Sequence, residues 1–304
     1  MVMKRNMMAK NLQRAILRSF GRYIAILAII ALGCSIFIGL KVTKTDMIQT
    51  GQEYTQAQNM FDLRLLNTYG WTEEAVKAIA SLAGVEDAEG SIYLDAFASV
   101  DDGDQSVFRI HALPERINKV YLLSGRMPQS ADECLVDGEH FTSDVIGQEI
   151  VISDTNDADT LDSLNQHTYT IVGCVSSPLY MDMTRGSTSL GSGSISHYVY
   201  VPQEAFDADY YTEIFVTMGG QWKIYSEAHN DALDRFAEDL EADVALLAQQ
   251  RFDTLLAEAE DAYAEGLAEY EDGLLEFEEG KQEALQELED ALKKLQDGQA
   301  ELDE

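Results

Sequence analysis

The side chains of this sequence that could do chemistry are five histidines and three cysteines, and their spacing matches no familiar metal or catalytic site. They are His111, His140, His167, His197, His229, Cys34, Cys134 and Cys174. The histidines do not stand at zinc-binding intervals from one another or from a cysteine, and no nucleophile has a recognisable partner base. We therefore predict no catalytic, cofactor-binding or metal-ligating residue, and no enzymatic activity.

Two loop-like segments superficially resemble ligand-binding motifs. Residues 154–162 read DTNDADTLD, but Ala158 stands where a calcium loop needs an oxygen ligand, and the central glycine is missing. Residues 185–196 read RGSTSLGSGSIS, without the lysine of a phosphate-binding loop or the G-x-S-x-G of a hydrolase. We interpret the first as a solvated acidic loop and the second as a flexible loop between strands.

The cysteines indicate no disulfide scaffold, because there are only three and Cys34 lies inside an apolar run. Cys134 and Cys174 could pair in an oxidising compartment. Two buried free thiols are equally compatible with the sequence, and spacing alone does not decide between them.

Charge is divided sharply along the chain. The formal net charge of the 304 residues is -33, which excludes a nucleic-acid binder with a basic footprint. Residues 1–45 carry eight basic groups and no acidic one, whereas the remainder carries 13 basic and 54 acidic groups. Two compartments are the simplest explanation of this division.

The apolar run between Arg22 and Lys41 predicts a transmembrane helix at residues 23–42. It contains 18 uncharged residues, which rise about 27 Å as a helix, close to the hydrocarbon thickness of a bilayer. A cleaved signal usually has an apolar region of about 7–15 residues followed by a small-x-small site, and this run is longer and continues to Leu40, which argues against cleavage. Cys34 lies in a motif that only imperfectly matches a lipid-attachment site. We therefore rank a lipid-anchored protein below a retained transmembrane helix.

A basic amphipathic helix is predicted at residues 1–22. Lys10, Arg14, Arg18 and Arg22 recur every four residues and form a stripe that suits anionic lipid headgroups of the bilayer. The positive-inside tendency then places the N-terminus in the cytoplasm and the main domain outside. Ordinary flanking charges are the alternative interpretation, and they predict the same topology.

Small residues line one face of the predicted span. Ala31, Ser35 and Gly39 are four residues apart, and such a face lets another helix approach closely in lipid. Chance is the alternative, because small residues are frequent in membrane helices. If the face packs, further transmembrane helices must come from another chain or from sequence beyond residue 304.

The middle of the chain predicts a mixed α+β fold. Residues 43–59 form a polar stalk that could continue the helix, and residues 60–221 form an extracytoplasmic α+β core domain. Helical spacing at 72–84 begins at the capping residue Thr72 and stops at Gly84. Strands are predicted at 60–67, 91–100, 106–113, 133–137, 148–153, 167–177, 196–202 and 212–218.

The tail at residues 222–304 predicts a long acidic coiled-coil helix. Its apolar residues alternate in steps of three and four, giving the 3.5-residue period of a coiled coil. The predicted seam consists of Leu267, Tyr270, Leu274, Phe277, Leu288, Leu295 and Leu302. The tail carries 26 acidic and 6 basic residues, so we expect a separate partner helix to cover the seam. A partly disordered acidic tail is the alternative.

Several motifs together resemble the FtsX-like, MacB-like permease family of ABC transporters. The resemblance starts at RSFGRYIAILAIIALG, the basic prehelix and first span. It continues in order through LLSGRMPQSADECLVD, IGQEIVIS, YTIVGCVSSPLY and YVYVPQEAF, which look like the strands of the family's external domain. In that family this domain lies between the first two of four spans, and some members insert a coiled coil after it.

The resemblance implies a permease subunit that couples ATP hydrolysis by a separate cytoplasmic ABC ATPase to extracytoplasmic conformational change or export. The family's later spans are absent from these residues, so we expect the N-terminal part of a longer permease or a truncated product. The alternative function is a single-pass, membrane-anchored surface interaction protein that oligomerises through its coiled-coil stalk.

Overall fold

The computed structural model describes residues 3–101, 103–220 and 222–302. It confirms the predicted class: a mixed α+β body with an apolar N-terminal helix and a long C-terminal helix. The helices are α1 (Met3–Arg18), α2 (Phe20–Ala57), α3 (Glu73–Ala80), α4 (Ala158–Asp162) and α5 (Glu227–Leu302). The strands are β1 (Leu63–Trp71), β2 (Val85–Ser91), β3 (Tyr93–Val100), β4 (Ser106–Ala112), β5 (Tyr121–Gly125), β6 (Glu133–Asp137), β7 (Glu149–Ile152), β8 (Thr168–Ser176), β9 (His197–Val201) and β10 (Tyr211–Met218).

Helix α2 is the one helix in the described residues that is long and apolar enough to cross a membrane. Its best 18-residue window has a mean hydropathy of 2.6, and none of that window is buried within the chain. The helix runs for 38 residues, so the predicted span and the predicted stalk are one continuous rod as far as Ala57. A break at Ser19 separates α1 from α2.

A three-stranded antiparallel sheet in the order β1-β10-β2 forms the first half of the body. Side chains alternate along β10, so that Ile214 and Val216 face a core shared with α3 and with the first part of α5. Helix α3 begins as the sequence predicts, because the Thr72 hydroxyl accepts a hydrogen bond from the Ala75 amide at 3.2 Å. Phe236 and Leu240 of α5 are buried in the same core.

A seven-stranded sheet in the order β5-β8-β6-β9-β4-β3-β7 forms the second half. Because β7 also pairs with β8, six of these strands close into a barrel and β5 is added at its edge. The core inside the barrel contains Val136 and Val199, whereas the neighbouring Leu135, Tyr198 and Tyr200 pack on its outer side. This alternation follows from the period of two in a strand.

An irregularity in β8 changes which of its side chains point inward. The pairing with β6 shifts between Cys134, opposite Ile171, and Leu135, opposite Gly173. Ile171 and Cys174 both join the inner core, although they are three positions apart. Gly173 is needed there because a Cβ would lie 2.8 Å from the Arg126 carbonyl oxygen, too close for any larger residue.

Two strands were not predicted, and the pairing of the first strands differs from simple chain order. Strand β2 has the sequence VEDAEGS, whose three acidic residues and glycine give no strand signal, yet β10 pairs along its whole length. Strand β5 is a short edge strand of five residues. Strands β1 and β3 belong to different sheets, while β3 and β4 form an antiparallel hairpin.

Candidate functional site

The end of α2 is fastened to the body through a short loop between β4 and β5. The Asn118 amide donates to the Asn59 carbonyl oxygen at 2.9 Å, and the Lys119 amide donates to the Gln58 carbonyl oxygen at 2.8 Å. The Asn59 side chain donates to the Arg116 carbonyl oxygen at 2.9 Å. These bonds fix where the rod formed by α2 meets the barrel.

A second fastening joins α2 to the segment that precedes α5. Gln52 Nε2 donates to the Trp222 carbonyl oxygen at 2.5 Å, and Gln52 Oε1 accepts from the Ile224 amide at 3.2 Å. Around it lies a cavity of about 400 Å³ lined by residues of α2, β10 and the start of α5. His229 of α5 stacks on the Trp222 ring and lies 3.7 Å from an Asp62 oxygen. We call these contacts the α2–α5 junction.

The residues predicted to contact the membrane or other spans are all exposed in the described chain. Ala31, Ser35 and Gly39 lie on α2, and a Cβ added at Gly39 would meet nothing within 4 Å. The basic stripe is divided by the break at Ser19, so Arg22 lies in the first turn of α2 and not in α1. Lys10, Arg14 and Arg18 lie on α1. Neither set is buried against the described α+β body.

The predicted coiled-coil seam projects beyond the body. Helix α5 contacts the three-stranded sheet as far as Phe252, whose ring centre lies 5.2 Å from that of Tyr69. Further along, the seam side chains are exposed, from 44% at Leu267 to 71% at Leu295. The exposed seam residues are Leu267, Tyr270, Leu274, Phe277, Leu288 and Leu295. Leu302 ends α5, and its side chain lies outside the described part of the structure.

A cleft separates the three-stranded sheet from the barrel. Its volume is about 550 Å³. Arg64 and Glu213 line it from the sheet, Arg109 and His111 line it from β4, and residues 178–186 form its outer wall. We call this the intersheet cleft. Met60 and Phe61 line both this cleft and the cavity at the α2–α5 junction, so the two sites are neighbours.

Charged pairs line the intersheet cleft. The Arg64 Nε pairs with Glu213 Oε2, and the Glu213 side chain is completely buried. Burial raises the pKa of Glu213 above its usual range, although the Arg64 charge opposes this. Arg109 holds both oxygens of Asp95, with Nε to Oδ1 at 2.6 Å and Nη2 to Oδ2 at 2.8 Å.

A buried histidine stands at the inner end of the same cleft. His111 Nε2 lies 2.6 Å from the Tyr180 hydroxyl, while its Nδ1 has no hydrogen-bond partner within the described ranges. Burial, followed by the charges of Arg109 and Arg64, lowers the pKa of His111 to about 3. The imidazole is therefore neutral near pH 7. Burial also raises the pKa of Tyr180.

A third group brings together an acid and two histidines. Asp137, His140 and His197 offer ligand atoms within 4.8 Å of one another. However, Asp137 Oδ2 already lies 2.7 Å from Arg185 Nε and 2.8 Å from His140 Nδ1. Its Oδ1 accepts from the Glu139 amide at 3.0 Å and from Arg185 Nη2 at 3.1 Å.

These contacts do not fit a metal ion. The four contacts occupy the lone pairs with which Asp137 would bind a metal ion. In addition, Arg185 Nη2 lies 3.4 Å from His140 Nδ1, so the positive charge of Arg185 would repel a cation bound there. The group instead forms a buried ion pair that holds the outer wall of the intersheet cleft. Arg185 Nη1 also donates to the Asp182 carbonyl oxygen at 2.7 Å, which fixes the turn before it.

The structure resolves the alternative left open for the cysteines. Cys134 and Cys174 are buried and free, and Cys34 is exposed on α2. Cys174 Sγ donates to the Thr142 carbonyl oxygen at 3.5 Å, and burial raises the pKa of the Cys134 thiol. Both thiols therefore behave as small core residues.

Neither family models nor curated proteins match the chain. Among solved structures, the chain is similar to the extracellular domain of the noncanonic ABC-type transporter YknZ from Gram-positive bacteria. The identity is 12%, the match covers 55% of this chain and 80% of that one, and the TM-score is 0.33.

The periplasmic region of MacB from Actinobacillus actinomycetemcomitans is similar at 9% identity, with 59% of this chain and 76% of that one covered and a TM-score of 0.30. A domain of a putative permease protein from Porphyromonas gingivalis is similar at 14% identity, with 58% and 72% covered and a TM-score of 0.30. These neighbours are of the kind that the sequence resemblance predicts.

Proposed function

We propose that this chain is a permease subunit of an FtsX-like ABC transporter and transmits motion from the membrane to an extracytoplasmic domain. ATP hydrolysis by a separate cytoplasmic subunit would move the α2 span. The α2–α5 junction would carry this movement to the body and to α5. The observation that carries the proposal is the double hydrogen bond of Gln52 to the segment preceding α5.

The geometry suits a mechanical role because no flexible linker separates the span from the body. Helix α2 remains helical to Ala57, and the loop around Asn118 fastens its next two residues to the barrel. A helix with continuous backbone hydrogen bonds transmits rotation and tilt better than an extended linker does. The order of the motifs in the sequence supports the same family of permeases.

The remaining parts of the proposal concern the membrane and the partners. The N-terminus lies in the cytoplasm, the basic stripe contacts lipid headgroups, and the body lies outside. The face formed by Ala31, Ser35 and Gly39 packs on further transmembrane helices, because small residues permit close helix approach in lipid. A partner helix covers the exposed seam of α5, since large apolar side chains gain from burial.

Purification of the tagged chain from its own membranes in mild detergent tests this proposal. We expect an ABC ATPase to copurify in a fixed ratio and to be identified by mass spectrometry. Recovery of the chain without any ABC ATPase would contradict the permease assignment and would favour a single-pass surface interaction protein.

A labelling experiment tests the orientation separately. A cysteine at exposed Glu204 in the body should react with a membrane-impermeant maleimide in intact cells, whereas a cysteine at exposed Met8 in α1 should react only after permeabilisation. Both variants carry Cys34→Ala, and the buried Cys134 and Cys174 remain unchanged. The reverse labelling pattern would overturn the proposed topology.

A further inference from the structure

We propose that the intersheet cleft binds a small anion with a carboxylate or phosphate group, held by Arg64 and Arg109. This inference goes beyond the proposed permease function and does not depend on it. It concerns a binding site in the body, where the sequence predicts no ligand-binding residue.

Unused guanidinium donors are the first argument. Arg64 uses Nε for its pair with Glu213, and its side chain remains 36% exposed at the cleft. Arg109 uses Nε and Nη2, so its Nη1 has no hydrogen-bond partner in the described part of the chain. Both guanidinium carbons lie within 5.5 Å of the ring centre of Tyr93. Both guanidinium groups therefore line the same cleft, beside one aromatic ring and with free N–H donors.

The clustering of arginine side chains in the cleft is the second argument. Residues 60–220 contain seven lysines and arginines, and three of them, Arg64, Arg109 and Arg185, line this one cleft. Each of the three pairs with its own carboxylate, Glu213, Asp95 or Asp137, so the cleft is close to neutral within an otherwise acidic body and repels an anion less than the surrounding surface does. Guanidinium groups also match the planar, paired oxygens of carboxylate and phosphate better than other cations do.

The acidic groups at the cleft are already paired. Asp95 gives both oxygens to Arg109, and Asp182 Oδ1 accepts from the Thr184 amide at 2.9 Å and from its hydroxyl at 2.7 Å. Glu213 gives one oxygen to Arg64, and its other oxygen is buried without a partner among the described residues. The Arg64 charge compensates that of Glu213, so this carboxylate adds little net negative charge at the cleft.

The size and position of the cleft are the third argument. Its volume of about 550 Å³ lies in the range of small-molecule sites, and such sites are frequent between structural units. Phe61, Leu179 and Met181 give it apolar walls. Because Arg64 belongs to the three-stranded sheet and Arg109 to the barrel, a bound anion would bridge the two halves of the body.

Thermal unfolding of the full chain in detergent tests this inference. The probes are inorganic phosphate, N-acetylglycine, which carries one carboxylate, and N-acetylglycinamide, a neutral control, all at constant ionic strength in chloride. We expect phosphate or N-acetylglycine, but not the amide, to raise the melting temperature in a saturable way. The anion that acts identifies whether the ligand is a phosphate or a carboxylate.

Paired variants locate the binding site. The double variant Arg64→Gln with Glu213→Gln removes one guanidinium from the cleft and leaves no unpaired buried charge. The dissociation constant of the anion should therefore rise about tenfold or more. The matched control is Arg126→Gln with Glu133→Gln, which alters an ion pair outside the cleft. We expect the control to bind as the wild type does.

A filling variant covers the case in which the paired variant fails to fold. Met181 is 58% exposed at the wall of the cleft, so Met181→Trp occupies the site without breaking an ion pair. It should abolish the anion effect. The proposal is overturned if neither anion stabilises the wild type, or if stabilisation survives in Met181→Trp. Failure to recover an ABC ATPase would leave these measurements unaffected.

Discussion

Gln52 in α2 and Trp222 ahead of α5 are joined by a hydrogen bond of 2.5 Å, although 170 positions separate them in the chain. The same carboxamide accepts from the Ile224 amide at 3.2 Å. One side chain on the membrane-proximal rod therefore holds two backbone groups of the segment that begins the long helix. Any rotation of α2 must move this segment or break both bonds.

Replacing Gln52 with alanine should loosen the start of α5 without unfolding the body. The variant leaves the Trp222 carbonyl and the Ile224 amide without their partner, and one hydrogen bond contributes about 1 kcal/mol. Hydrogen exchange should report amide exchange at Ile224 that is about fivefold faster than in the wild type.

Gln49→Ala is the matched control for this prediction. It removes a similar carboxamide from the same helix, but Gln49 bonds only to exposed Glu53, at 2.8 Å. Exchange at Ile224 should not change in this variant. Equal protection of Ile224 in Gln52→Ala and the wild type would show that the junction does not depend on this contact.

The ion pair of Asp137 and Arg185 should contribute strongly to the stability of the barrel. Both side chains are almost completely buried, so Arg185→Ala leaves an uncompensated carboxylate and should cost about 3–5 kcal/mol. Chemical denaturation of the full chain measures this loss. Arg126→Ala, which breaks an exposed pair with Glu133, should cost far less, because solvent screens the exposed charges. Similar losses in the two variants would contradict the structural role of Arg185.

Stability should fall as the pH drops below the ordinary histidine range. Burial lowers the pKa of His111 from 6.5 to about 3. Between these two pH values the unfolded chain binds a proton at this histidine and the folded chain does not. The contribution of neutral His111 to the free energy of unfolding is complete above pH 6.5. It is lost on acidification by about 1.4 kcal/mol per pH unit. Burial, followed by the neighbouring His140, lowers the pKa of His197 to about 4, which adds a second proton.

Urea denaturation at several pH values between 4 and 6.5 measures how the free energy of unfolding depends on pH. The two limits are the lowered pKa of His197 and the ordinary pKa of histidine. The variant His111→Gln stays neutral and retains a group that can bond Tyr180, so it should lose about half of the pH dependence. His167→Gln, at an exposed position, should keep the wild-type slope. An unchanged slope in His111→Gln would refute the assignment.

Two adjacent leucines distinguish the α5 seam from the rest of the helix surface. Leu274 lies in the predicted seam and Leu275 beside it, and both are substantially exposed in the single chain. Leu274→Asp should abolish association with the partner helix, because burying a leucine contributes about 1.5–3 kcal/mol. Leu275→Asp should leave association intact. Crosslinking in membranes measures both, and equal effects would remove the basis for the seam.

The sequence predicts features that depend on local pattern. The uncharged run before Lys41 predicts α2, alternating residues predict eight of the ten strands, and Thr72 marks the start of α3. These features follow from hydrophobic periodicity and capping, which neighbouring residues encode.

The intersheet cleft could not be predicted in the same way. Arg64 and Glu213 are 149 positions apart and meet only because β1 and β10 pair in one sheet. Strand β2 was not predicted because its acidic side chains have a low strand propensity. It forms a strand because it pairs with β10. Pairing between distant strands is decided by the packing of the whole body, for which a single sequence has no local signal.

Pulsed electron paramagnetic resonance tests the central claim, that α2 and the start of α5 move as one unit. Spin labels would replace exposed Asp46 on α2 and Glu227 in the first turn of α5, in a Cys34→Ala background. The chain would be reconstituted in lipid with the ABC ATPase that copurifies with it. We predict the same narrow distance distribution in nucleotide-free and ATP-trapped complexes. A distance that shifts or broadens between the two states would show that the α2–α5 junction does not transmit the motion of the span.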